Sequence, residues 1–146
     1  MLAAAALWYQ GRPPLLLDLK TTAADDDHVV ALFKEGNRWG AISKTNHAVL
    51  RYRDAIYRDS RELAMSYFNE YFLDSGVKTL RSFFAPFDLS KYGNEWLTSR
   101  GDLGDIAAEL DFSKHIEIFK KGAERKLRLA DKSEIEAGKI LEWRKK

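Results

Sequence analysis

The sequence predicts an α+β domain: an N-terminal helix, a small antiparallel sheet with a hairpin over residues 28–43, a helix over 59–72 packed on that sheet, and a helical C-terminal part. Three observations carry this. Short apolar runs bounded by Pro, Gly and Asn occupy the first third of the chain, as buried strands require. A two-row apolar helical pattern follows at 59–72. The 146 residues are 45% hydrophobic and 32% charged, enough apolar material for one packed core.

Leu2 to Gln10 is alanine-rich and reads as a buried helix. Gly11 stops it, and Pro13-Pro14 forbids its continuation. Nothing before Met1 caps it, so it reads as a helix entered halfway. Leu15 to Leu19 is an apolar run between Pro14 and Thr21-Thr22 and predicts a buried strand. His28 to Phe33 and Arg38 to Ser43 predict two more, joined by the turn Glu35-Gly36-Asn37, where Gly and Asn tolerate positive φ.

Asp59 and Glu62 have the spacing of a capping box for the next helix. Leu63, Tyr67 and Tyr71 form one row and Ala64, Phe68 and Phe72 the next, so the helix must dock on the sheet. Val77 to Leu89 reads as irregular around Pro86. Asp102 to Leu110 predicts a short helix, His115 to Phe119 a weakly alternating strand, and Asp131 to Trp143 a capped terminal helix.

Charge divides the chain. Residues 114–146 carry 11 Lys and Arg against 6 Asp and Glu, whereas residues 1–113 carry 13 against 16. A domain over 1–113 with a basic, mainly helical extension over 114–146 is the expected organisation. The net charge of +2 is too small to require a polyanion, and no cofactor is expected. No cysteine is present, which excludes disulfides and thiolate metal sites and suits a cytoplasmic protein. No apolar run reaches the ~18 residues of a membrane span, and Met1 to Tyr9 lacks the basic flank of a signal peptide.

The run Ala3 to Leu7, then Gly11-Arg12-Pro13, then the Leu15 strand, then His28 opening a strand and Trp39 after the Gly36 turn, share one pattern. The first 44 residues thereby resemble the transglutaminase-like superfamily, whose core is related to papain-like cysteine peptidases. In that family a cysteine opens the helix, a histidine starts one strand, and an aspartate ends the next. The resemblance implies His28 as the base and puts Ser43 at the aspartate position, with Asn46 as an orienter of the ring; Trp39 is a candidate cleft wall, although a tryptophan in a hairpin more often packs in the core, which is the preferred reading. The cysteine would fall just upstream of Met1, so the chain is expected to be an N-terminally truncated form or a pseudoenzyme. Either way it is expected to be inactive as it stands, because acyl transfer needs nucleophile, base and orienter together. Intact relatives would be cysteine hydrolases or acyltransferases on amide bonds.

Other readings are open at this stage. His28 is equally an ordinary polar residue at a strand start. Asp25-Asp26-Asp27-His28 reads as a solvated acidic loop, since four adjacent residues cannot converge on one ion. Arg51-Tyr52-Arg53, Tyr57-Arg58 and Arg61 interleave cations and aromatics, which could grip nucleic acid. Asp54 and Asp59 dilute that charge, and pairing with nearby acids is the preferred account. A peptide or protein partner is therefore expected before nucleic acid, and no membrane is expected; oligomeric state is not legible.

Overall fold

The alanine run forms helix α1 (Leu2–Tyr9), and Gly11, at φ 78°, ends it as its sequence position requires. The computed structural model describes residues 1–99, 101, 103–141 and 143. Three strands follow: β1 (Leu15–Lys20), β2 (His28–Glu35) and β3 (Arg38–Ile42). Gly36 adopts φ 58° in the β2–β3 turn, the left-handed conformation that a tight hairpin needs.

Strand β4 (Tyr52–Tyr57) then pairs with β3, where the sequence suggests a loop. Its alternation is inverted: Tyr52, Asp54 and Ile56 face solvent while Arg53 turns inward. Arg53 is held there by Ser66 Oγ (3.0 Å), Val49 O (2.9 Å), the Glu70 carboxylate and the Tyr67 ring, 4.1 Å below the guanidinium. An inward arginine hides a strand from a hydrophobic pattern.

The helix expected over 59–72 is broken in two. Helix α2 (Ser60–Met65) ends early, and a 3-10 turn at Phe68–Glu70 replaces its last turns. The break falls at Ser66, whose hydroxyl donates to Leu63 O (2.7 Å) and accepts from Arg53. Asp59 caps the helix through the Glu62 N–H at 2.7 Å, but Glu62 turns back to the Arg58 N–H at 2.6 Å. The apolar rows still reach the core: Leu63, Ala64 and Tyr67 are fully buried.

Strand β5 (Ser82–Asp88) occupies the stretch expected to be irregular. Its register against β1 shifts between Leu16 and Asp18, and Pro86 sits in that bulge, where no ladder donor is needed. Short helix α3 (Glu95–Thr98) and helix α4 (Gly104–Phe112) follow; Asp102, the expected helix start, lies outside the described residues. Strand β6 (Ile116–Glu117) completes a six-stranded antiparallel sheet of order β4-β3-β2-β1-β5-β6. Within the basic C-terminal stretch, β6 is a strand of the main sheet and Ile118 enters its core.

Helix α5 (Lys132–Gly138) has the capping box that Asp131 and Glu134 predict, but stops at Gly138 rather than Trp143. Beyond it, Ile140 and Leu141 lie against the loop before β4, with Ala48 N donating to Ile140 O at 3.1 Å.

The sheet is covered on both faces. Leu17, Leu19, Val30, Leu32 and Ala41 pack with α2, Leu80 and Phe83. On the other face Leu16, Ala31, Phe33 and Phe87 pack with α1, Trp96 and Leu110. Trp8 and Trp96 stack in parallel, 5.5 Å between centroids. Each fully buried Leu or Phe here contributes ~1.5–3 kcal/mol. No described helix is long and apolar enough to cross a membrane.

Candidate functional site

His28 is the first residue of β2, opposite Leu19, and Ser43 directly follows β3. The hairpin register carries both to one end of the sheet. There His28 Nε2 and Ser43 Oγ meet at 2.6 Å. Ser43 is held in place by its own N–H, which donates to Arg51 O at 2.8 Å.

Burial pushes the His28 pKa down, and the charges of His47 and of the Met1 α-amino group at the start of α1 push it further. Among the described residues no carboxylate bonds the ring to oppose this. The imidazole is therefore neutral at pH 7, with one nitrogen able to accept a proton.

His28 opens onto a cleft of about 340 Å³ whose lining includes Asp25, Asp26, Asp27, His47, Tyr71 and Asp74. Burial works against ionisation of Asp27, but the Thr21 N–H at 2.7 Å and the Lys20 ammonium at 2.9 Å outweigh it and hold its pKa below the ordinary value. Asp25 accepts from the buried Thr79 hydroxyl at 2.5 Å. The Tyr71 hydroxyl is buried with no hydrogen-bond partner among the described residues, and desolvation drives its pKa up. Among the described residues no group of three or more His, Cys, Asp or Glu side chains is placed to hold a metal ion.

Of the four site candidates His28, Ser43, Asn46 and Trp39, His28 and Ser43 come together. Asn46 does not touch the ring. Its side-chain amide reads the main chain of Trp143 instead, donating to the carbonyl at 3.0 Å and accepting the N–H at 2.8 Å. Trp39 stands at the hairpin end of β3, opposite Tyr57, with Lys34 Nζ 4.1 Å above its ring; it packs against the core and is not a wall of the His28 cleft. In the mixed Arg and aromatic stretch, three arginines have protein partners. Arg53 is enclosed as described, Arg58 contacts Glu62 at 3.5 Å, and Arg61 donates to Glu117 O and Ile118 O.

Sequence reasoning missed His47, whose Nδ1 lies 3.1 Å from Gly138 O and fastens α5 beside the cleft. No local pattern signals this contact between positions 91 residues apart. It also missed Asp18 and His115. Asp18 is buried in the middle of β1, with His115 Nε2 at 2.9 Å and His115 Nδ1 facing Ser113 O at 2.7 Å. Burial raises the Asp18 pKa although His115 opposes it.

No protein-family model matches the chain, and no curated protein matches it in sequence. The arrangement itself sets the chemistry. It offers a neutral imidazole, a hydroxyl within hydrogen-bond distance, and a half-enclosed acidic cleft, and this chain brings no thiol to them.

Proposed function

We propose that the chain is a transglutaminase-like domain whose His28 cleft holds a peptide or protein segment without transferring its acyl group. The observation that carries this reading is the 2.6 Å contact between His28 and Ser43. These two residues fall at the histidine and aspartate positions of the resemblance, and a base and its orienter must touch. The start of α1, where the resemblance puts the nucleophile, is near enough for its amino group to influence His28.

The chemistry of the pair argues for binding rather than turnover. A neutral serine does not stabilise an imidazolium as a carboxylate does. No cysteine exists in this chain to form a thioester. The cleft has the size of a side-chain pocket. Its lining carboxylates, among them Asp26 and Asp74, favour a segment with basic side chains.

The test uses the full chain and two fluorescent peptides, one lysine-rich and one glutamine-rich, with a primary amine supplied as acyl acceptor. Saturable binding of the lysine-rich peptide is expected, with no cleavage or amine incorporation. His28→Ala should change the affinity only slightly. Product formation that disappears in His28→Ala would overturn the non-catalytic reading. Failure of both peptides to bind would overturn the peptide-binding reading itself.

A further inference from the structure

A second cleft, of about 970 Å³, opens between α2 and the segment after β6 and shares no lining residue with the His28 cleft. Arg61, Arg81, Lys120 and Lys121 surround it, with Glu117 and Glu124 as its acidic members. Four positive charges against two negative leave a surplus of two.

Both guanidinium groups are positioned in advance. Arg61 donates to Glu117 O at 3.1 Å and to Ile118 O at 2.6 Å. Arg81 donates to Leu80 O at 3.0 Å and lies 5.7 Å from the Phe119 ring centroid. Each keeps N–H groups beyond those bonds, because a guanidinium carries five. The Glu124 carboxylate accepts the Gly122 N–H at 2.6 Å and also feels the Arg81 charge, without forming an ion pair with it.

Among the described residues none of these four cations has a carboxylate within ion-pair distance. Arg12, Lys20, Arg53, Lys91 and Arg128 all have one. Unpaired cations converging on one concavity repel each other and raise the local concentration of anions. Guanidinium forks held by main-chain carbonyls beside exposed ammonium groups suit phosphate oxygens.

We propose that this cleft binds a small ligand bearing a phosphate ester or diphosphate, with Ile118 and Phe119 as the apolar wall for its organic part. A dianion matches the surplus charge, whereas Glu117 and Glu124 oppose an extended polyanion.

Inorganic pyrophosphate and phenyl phosphate are the probes, titrated into the full chain and followed by amide chemical shifts. Saturable shifts are expected at Arg81, Lys120, Lys121 and Gly122, with phenyl phosphate also moving Phe119. Arg81→Gln should weaken pyrophosphate by about tenfold. Should that variant melt early, Lys120→Gln with Lys121→Gln, two exposed side chains, serves the same purpose with the same expected loss. Equal affinity in the wild type and the lysine variant would overturn the proposal. So would the absence of pyrophosphate binding alongside tight, steeply salt-dependent binding of a single-stranded oligonucleotide of about 20 nucleotides, which would identify a nucleic-acid surface instead.

Discussion

His28 and Ser43 are 15 residues apart in sequence and 2.6 Å apart in space. The hairpin between them does this: β2 and β3 run antiparallel from the Gly36 turn, so the start of one strand and the residue after the other arrive together. Removing the hydroxyl should leave a half-buried imidazole with one partner fewer. Ser43→Ala is expected to cost about 1 kcal/mol in urea unfolding. Ser43→Asp should raise the His28 pKa above its ordinary 6.5, because an anion then faces the ring. An NMR titration of His28 reads this directly; an unmoved pKa would mean that the two side chains do not face each other in solution.

The depressed His28 pKa has a signed consequence for stability. In the unfolded chain the ring takes up its proton near 6.5; in the folded chain it does so only at lower pH. Between the two values the unfolded state holds more protons, so stability falls as pH drops below about 6.5 and levels off once folded His28 is protonated as well. His28→Gln should flatten that part of the profile while leaving the slope near neutral pH unchanged. Urea midpoints measured from about pH 7 to about pH 5 make the comparison.

Asn46 ties the loop before β4 to the C-terminal segment through two hydrogen bonds to Trp143. Its loss should release that segment locally rather than unfold the domain. Asn46→Ala is expected to accelerate hydrogen exchange at the Trp143 amide by an amount equivalent to about 1–3 kcal/mol, with the sheet amides unaffected. Equal protection at Trp143 in both proteins would show that the main-chain pairing at Ala48 and Ile140 suffices.

The Asp18 and His115 pair is a buried debt in the core. With both ring nitrogens facing oxygen acceptors, a proton must lie between the imidazole and the carboxyl group. His115→Ala strands a carboxyl group that is 1% exposed, and is expected to cost about 3 kcal/mol. Replacing both residues with leucine should recover most of that loss, since no polar group is then left unmatched. A double variant no more stable than His115→Ala would place the cost in packing against Phe84, whose ring centroid lies 6.0 Å from that of His115.

The first 43 residues were legible because their signals are local. Alanines, a Gly-Pro stop, apolar runs and a Gly-Asn turn each act within a few positions, and α1, β1, β2 and β3 lie where those signals put them. The same holds for the caps at Asp59 and Asp131. Legibility failed where distant partners decide. β4 carries an inward Arg53 that Glu70, Ser66, Val49 and Tyr67 together make tolerable, and β5 carries a proline that its bulge against β1 accommodates. Ser66, bonded to both Arg53 and Leu63, ends a helix whose apolar rows continue past it.

What the sequence determined by itself was the class of fold, the two-row apolar pattern at 59–72, the lack of a thiol in these 146 residues, and the candidacy of His28 and Ser43. Tertiary structure alone decided which candidates meet. It joined His28 to Ser43, gave Asn46 to Trp143, kept Trp39 in the packing of the hairpin, and gathered Arg61, Arg81, Lys120 and Lys121 around one cleft. Periodicity records which face a residue occupies, but the partner across that face comes from strand register and chain reversal, which no window of sequence contains.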